Sequence, residues 1–283
     1  MNNIFQLFKL IRLPNLAIIG ITQLIVARFL IEGNTFLSLL SDYNFHILMS
    51  STLLIASAGY IINDYYDIKI DYVNKPNRVV IGKHIKRRPV LILHSIFNFS
   101  GIMLGAYLSW WIFGVNLVAA FLLWLYSNLL KRTPLWGNLT VSLLTGLSVF
   151  MVYLIYFNNL ELIIMYAIFA FFISLVREIV KDLEDIEGDQ KFECRTLPIA
   201  IGTSFTKLFI YAINFLFLVV VFFATKNWNI FLAYFSTLTV ILCALCYTIY
   251  KADKKSDYAK ISKFAKLIMI TGILSIMFMY FAY

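Results

Sequence analysis

Residues 90–130 contain no Asp, Glu, Lys or Arg, and that run dictates the environment in which this chain folds. A bilayer core takes roughly 20 apolar helical residues to cross, so the run holds two spans joined by a short turn near Gly114. Similar runs recur along the chain. Hydrophobic residues make up 61% of its 283 positions and charged residues 14%, with a mean hydropathy of +0.82, against about 45–50% apolar residues in soluble domains. The reading is an all-α polytopic membrane protein. Nine spans are predicted near residues 14–31, 46–62, 90–109, 111–130, 138–157, 160–176, 208–225, 228–250 and 264–283.

Basic residues provide an independent check, because Lys and Arg accumulate in short cytoplasmic loops. With nine spans, the N-terminus and the loops after spans two, four, six and eight hold 22 of the 24 basic residues; only Arg28 and Lys226 fall on the other side. The N-terminus and these loops are therefore expected on the cytoplasmic side of the cell (inner) membrane, with the C-terminus outside. The net charge of +9 is a topology and lipid-surface signal rather than a nucleic-acid one. Lys9 and Arg12 precede the first apolar run, which lacks a small-residue cleavage site, so it reads as a retained span. No Pro- or Ser-rich linker interrupts the chain, and residues 1–283 read as one membrane domain. Cys194, Cys243 and Cys246 give no disulfide framework and read as packing residues.

Acid is concentrated where the apolar runs end. Of 15 acidic residues, ten lie in the stretches 64–71 and 178–193, and within each stretch the spacing Asp-x-x-Asp-x-x-x-Asp appears: Asp64, Asp67, Asp71 and then Asp182, Asp185, Asp189. At about 100° per residue, positions 0, +3 and +7 occupy a helical stripe roughly 60° wide. Carboxylates stacked this way repel one another. Hard divalent cations relieve that repulsion, and Mg²⁺ favours a few carboxylates combined with phosphate oxygens and water. Glu184 and Glu187 fall off the stripe, and Glu184 reads as solvated.

Both triplets lie on the cytoplasmic side, at the exits of spans two and six, so the two segments emerge parallel. A bundle that brought those spans together would set two carboxylate stripes face to face. Basic residues flank both: Lys75 and Arg78, Lys131 and Arg132, Arg177 and Lys181, and Arg195. Carboxylates, cations and basic side chains beside hydrocarbon suit a substrate with a diphosphate head and a hydrocarbon tail, a description that an isoprenyl diphosphate fits. Metal ions would neutralise the departing diphosphate as Lewis acids. Aromatic faces would shelter the allylic cation at about 0.5–2 kcal/mol each, and Tyr65, Tyr66, Tyr72 and Tyr126 are near in sequence. A secondary transporter would instead place its acids near the midplane, often in inverted repeats.

The stretch Asn63-Asp64-Tyr-Tyr-Asp67-Ile-Lys-Ile-Asp71-Tyr-Val-Asn74-Lys75-Pro76-Asn77-Arg78 resembles the first motif of the UbiA-type intramembrane prenyltransferases. Lys181-Asp182-Leu-Glu-Asp185-Ile-Glu187-Gly188-Asp189, followed by Thr196-Leu197-Pro198, resembles their second. Tyr126-Ser127 through Lys131-Arg132 to Gly137-Asn138 is similar to their span-four segment, and Arg12-Leu-Pro14-Asn15 to their N-terminal one. The CDP-alcohol phosphotransferases, another metal-dependent membrane class, place Gly directly after the second Asp, where this chain has Ile68.

The resemblance implies nine helices in one bundle around a central cavity and a Mg²⁺-dependent transfer from an isoprenyl diphosphate to a lipophilic acceptor. Carried over by position, Asn63, Asp64, Asp67, Asp71, Asp182, Asp185 and Asp189 would be metal ligands, with Asp67, Asp71, Asp182 and Asp185 central to catalysis. Substrate would meet Arg12, Asn15, Asn63, Lys75, Arg78, Tyr126, Lys131 and Lys181. The first motif is most similar to the branch that prenylates geranylgeranylglyceryl phosphate. Val79-Val80-Ile81-Gly82 departs from that branch's proline-containing segment, and Glu193 stands where Gly is frequent; aromatic, quinone-precursor or tetrapyrrole acceptors are the alternative. Membrane lipids and the two substrates are the partners expected, with no nucleic acid or protein partner.

The remaining features read as structural. His46, His84 and His94 do not share metal-ligand spacing. Lys83, Lys86, Arg87 and Arg88 read as topological or lipid-binding. Gly20, Gly101, Gly105, Gly146 and Gly272 read as close-packing positions between helices.

Overall fold

Backbone surrounded by hydrocarbon satisfies its N–H and C=O groups only within a helix or a closed barrel, and this chain takes the first course. The computed structural model describes residues 3–74, 76–77, 79–225 and 231–282. In chain order the helices are α1 (Asn3–Leu10), α2 (Leu13–Phe29), α3 (Phe36–Ser41), α4 (Tyr43–Tyr66), α5 (Ile68–Asn74), α6 (Arg87–Leu108), α7 (Trp110–Asn128), α8 (Trp136–Phe150), α9 (Tyr153–Tyr156), α10 (Leu160–Lys191), α11 (Leu197–Ile201), α12 (Thr203–Thr225), α13 (Phe231–Lys251) and α14 (Lys255–Ala282). A 3₁₀ turn, Leu130–Arg132, follows α7. Among the described residues the only β pairing is an isolated bridge between Ile81 and Ile85.

Among the described residues, eight helical segments are long and apolar enough to cross a membrane: α4, α6, α7, α8 continued by α9, α10, α12, α13 and α14. The remaining predicted span, α2, has 17 helical residues, about 26 Å against a hydrocarbon core of about 30 Å. Helix ends also differ from the predicted ones. α10 runs on to Lys191 and α14 begins at Lys255, because Lys, Glu and Asp end an apolar run without ending a helix. At 32 residues, α10 is about 48 Å long and outruns the hydrocarbon by about a dozen residues. Those residues carry the second acidic triplet.

One compact unit comprises residues 1–131 and 147–160. Its centre is α4, against which α2, α6 and α7 pack. Small residues let these helices approach, and a buried polar clasp fixes their register: Ser51 Oγ donates to the Gly101 carbonyl at 2.8 Å, while Asn116 Nδ2 donates to Ser51 Oγ at 2.6 Å and to the same carbonyl at 3.1 Å. A Cβ at Gly101 would lie 2.9 Å from Ile55 and 3.1 Å from the Ser51 carbonyl, and one at Gly105 would strike the Asn116 amide. Both are the close-packing positions the sequence suggested. Gly20 is looser, with nearest neighbours at 3.7–3.9 Å. A second apolar cluster joins Leu10, Ile61, Ile68, Val80, Ile81 and Val90. Val80 and Ile81 are thus buried in one cluster with Ile61 of α4 and Ile68 of α5.

The other unit comprises residues 132–146 and 161–283. Its core gathers Phe169, Phe172, Ile173 and Val176 of α10 with Ile210 and Phe217 of α12, Leu242 and Leu245 of α13 and Ile268 of α14. Phe172 stacks on Phe217 with centroids 5.0 Å apart. Gly146 and Gly272 again mark tight crossings: a Cβ at Gly146 would lie 2.7 Å from the Ala167 carbonyl, and one at Gly272 would overlap the Phe169 ring. Cys194, Cys243 and Cys246 are all free thiols.

Candidate active site

Asn63 and Asp64 occupy the last turn of α4, Asp67 caps its C-terminal end and Asp71 lies in the first turn of α5. The triplet is therefore not on one unbroken helix, as its spacing suggested. Asp67 leaves the helical track (φ −89°, ψ 1°), although Asp71 N–H still reaches the Asp67 carbonyl at 2.8 Å. Two carboxylates at a helix C-terminus face the negative end of its dipole, so counter-cations are required. Arg12 and Lys131 provide them. Arg12 Nη2 donates to Asp64 Oδ1 at 2.6 Å, and Lys131, on the 3₁₀ turn after α7, donates to Asp67 Oδ1. Burial works against the Arg12 charge, but Asp64, Tyr60 and Asp71 together outweigh it and hold the guanidinium above its ordinary pKa. Asp71, at the favourable end of the α5 dipole, fits its position.

Asn63 Oδ1 is buried and has no hydrogen-bond partner among the described residues. A buried amide oxygen left this way is costly and is a hard donor available to a cation. Asn15 directs its backbone N–H to the Arg12 carbonyl at 2.7 Å. Tyr126 is half-buried on α7. Tyr65 and Tyr66 meet edge to face at 5.7 Å, and Tyr72 is exposed. Lys75 and Arg78 lie outside the described residues.

The second triplet does sit on one continuous helix. Asp182, Asp185 and Asp189 are all within α10, and Asn138 Nδ2, near the start of α8, donates to Asp182 Oδ2 at 2.8 Å. Asp189 is buried, and Glu187 is exposed as its phase predicts. Glu178 extends the triplet by one turn: it is buried, and its carboxylate accepts from Arg177 at 2.7 Å and Lys181 at 3.0 Å. Lys181 is thus engaged within its own helix. Glu178 and Asn138 were missed as site residues. Glu178 lies four positions before Asp182, about 40° from it, so the helical phase carried that signal. Asn138 closes the segment that resembles the family's span-four one, but nothing local gives it Asp182 as a partner.

Past Lys191 the chain turns at Glu193, whose φ of +57° is left-handed, and the Cys194 N–H closes the helix on the Asp189 carbonyl at 2.9 Å. Glycine is the usual residue for such a turn, which explains why Glu193 is unusual there. No three His, Cys, Asp or Glu side chains converge as a metal-holding group among the described residues. The donor chemistry nevertheless fits a hard divalent cation: every donor named in the two motifs is a carboxylate or an amide oxygen. Each motif has its own candidate donors: Asn63, Asp67 and Asp71 in the first, and Asp182, Asp185 and Asp189 in the second.

A family model described as the UbiA prenyltransferase family matches residues 23–281. The digeranylgeranylglyceryl phosphate synthase of Pyrococcus horikoshii is 35% identical over 222 residues, covering 77% of this chain and 79% of that protein. The enzyme of the same name from Methanosphaera stadtmanae is 33% identical over 239 residues, covering 82% and 87%. Among solved structures, one of a digeranylgeranylglyceryl phosphate synthase superimposes with a TM-score of 0.75 at 24% identity over 98% of both chains. A UbiA homologue from Archaeoglobus fulgidus bound to DMAPP and Mg²⁺ gives 0.71 at 14% identity over 96% of this chain and 98% of that one. At these identities the two superpositions speak to the fold.

Proposed function

This chain belongs to the UbiA prenyltransferase family, and from that premise we propose that it transfers the geranylgeranyl group of geranylgeranyl diphosphate to geranylgeranylglyceryl phosphate, with Mg²⁺ as cofactor. The allylic C–O bond of the donor breaks, its electron pair leaves with diphosphate, and an acceptor hydroxyl forms the new C–O bond as it loses its proton. One observation carries the reading: Asn63, Asp64, Asp67, Arg12 and Lys131, an acid-and-base group suited to a diphosphate, stand at the end of an apolar helix. The acceptor follows from what the relatives are named.

Bound Mg²⁺ supplies Lewis-acid neutralisation of the leaving diphosphate. The chain's own groups do the rest. Asn63 Oδ1 and the motif carboxylates present hard oxygens, and Asn138 fixes the rotamer of Asp182. Lys131, held at Asp67, keeps an ammonium beside the carboxylate where an anionic head would enter. The tail of the donor stays in hydrocarbon.

We further read α2 as the ninth span. Leu30 and Ile31 continue its apolar run and are buried, and a slight thinning of the bilayer accommodates a short helix. The charge distribution supports a cytoplasmic N-terminus and cytoplasmic motifs, with the whole chain acting as one prenyltransferase domain.

The test is diphosphate release by purified protein in lipid nanodiscs supplied with geranylgeranyl diphosphate and Mg²⁺. Geranylgeranylglyceryl phosphate should be prenylated in preference to aromatic acids and quinone precursors, and chelation should stop the reaction. Turnover that survives Asp67→Asn combined with Asp185→Asn would refute the metal assignment; preference for an aromatic acceptor would refute the acceptor alone.

A further inference from the structure

Arg12 stands at the corner between α1 and α2 with φ 54° and ψ 52°, a left-handed conformation that non-glycine residues avoid. Strain of this kind persists where surrounding contacts over-determine it. Here the contacts are specific. The guanidinium donates to Asp64 Oδ1 at 2.6 Å and lies 5.1 Å from the centroid of the Tyr60 ring, one turn earlier on α4. Lys9, three residues before Arg12, donates to the Asn77 carbonyl at 2.5 Å, beyond the end of α5. The corner therefore grips the first motif at both ends, at Asp64 and at Asn77.

Asp64 is also offset from the motif's buried amide oxygen. On α4 it stands about 100° from Asn63, whose amide oxygen is the buried orphan. Asp67 is held by a different cation, Lys131. Asp64 Oδ1 is committed to a charge-assisted hydrogen bond from a guanidinium that also lies on an aromatic face, which ties the carboxylate's orientation to Arg12.

We infer that Asp64 is the anchor of Arg12 rather than a metal ligand, and that Arg12–Asp64 is a positioning pair which clamps the α1–α2 corner onto the last turn of α4 and so aims Asn63 and Asp67. The inference rests on the prenyltransferase reading for the purpose of the aiming, while the pair itself can be tested without turnover. Mn²⁺ serves as the spectroscopic probe, its binding followed by electron paramagnetic resonance in nanodiscs, with prenyl transfer measured in parallel. Arg12→Gln and Asp64→Asn should lower turnover by the same factor, about 10- to 100-fold as for other groups that orient metal ligands. The double variant should be no worse than either single one. The reversed pair Arg12→Asp with Asp64→Arg should regain most Mn²⁺ binding and turnover, since Asp tolerates the left-handed backbone at position 12. Arg12→Lys, the variant least disturbing to folding, should bind Mn²⁺ close to the wild-type level, and Asp67→Asn should not. Loss of Mn²⁺ from Asp64→Asn and from the reversed pair, with binding kept or tightened in Arg12→Gln, would overturn the inference and restore Asp64 as a ligand. Wild-type protein that binds Mn²⁺ but transfers no prenyl group would refute the functional reading alone.

Discussion

Lys131 donates to the carboxylate of Asp67 across 64 positions of sequence, with side chains only 10% and 14% exposed. Removing one partner of a buried pair leaves the other charge uncompensated, typically at a cost of 3–5 kcal/mol. Lys131→Met should therefore lower the unfolding temperature measured with a chelator present. Added Mg²⁺ should recover more of that loss than it adds to the wild type, because it replaces the missing cation at Asp67. Equal Mg²⁺-induced shifts in the two proteins would show that Asp67 is not a metal position.

Asn138 holds Asp182 from near the start of α8. Hydrogen bonds to charged groups contribute about 1.5–3 kcal/mol. Asn138→Ala should cost that order of stability and lower turnover about tenfold, as loss of an orienting partner does. Asn138→Asp should be worse, because it sets a second carboxylate 2.8 Å-scale close to Asp182. Steady-state turnover of the three proteins at saturating Mg²⁺ decides the order.

The clasp of Ser51, Gly101 and Asn116 is remote from the acidic motifs, so its loss should affect stability before chemistry. Interhelical hydrogen bonds in membranes are each worth about 0.6–2 kcal/mol. Asn116→Leu should destabilise by about that amount. Gly101→Ala should do at least as much, since the neighbour met at 3.1 Å is the backbone carbonyl of Ser51. Thermal unfolding in detergent should fall in both while turnover at low temperature persists.

Glu193 offers the opposite sign. It is exposed and left-handed, with φ +57°. Relieving the Cβ clash gains about 1–2 kcal/mol and the added backbone freedom of glycine returns about 0.5–1 kcal/mol. Glu193→Gly should be the more stable protein by up to about 1.5 kcal/mol. A lower unfolding temperature for Glu193→Gly would mean that the Glu193 side chain has a stabilising contact of its own.

Membrane-spanning length, helical class and the two acidic motifs were legible along the chain because each is written in local sequence: apolar run length, basic loops, and Asp at 0, +3 and +7. Even Glu178 could have been read, since it shares the helical phase of Asp182. The interruption at Asp67 could not. There Asp67 meets Lys131, which arrives from a distant turn. Asn138 is likewise a matter of packing, as it reaches Asp182 from 44 positions away.

By itself, then, the sequence determined that this protein is a membrane helix bundle carrying two oxygen-rich motifs, because hydrophobicity and helical phase are properties of neighbouring residues. Only the tertiary structure decided which cation each carboxylate keeps. Arg12 belongs to Asp64 and Lys131 to Asp67, whereas Arg177 and Lys181 meet Glu178 within one helix. Ion pairing in a desolvated site depends on ångström-scale distances between segments far apart in the chain, and no local pattern encodes them.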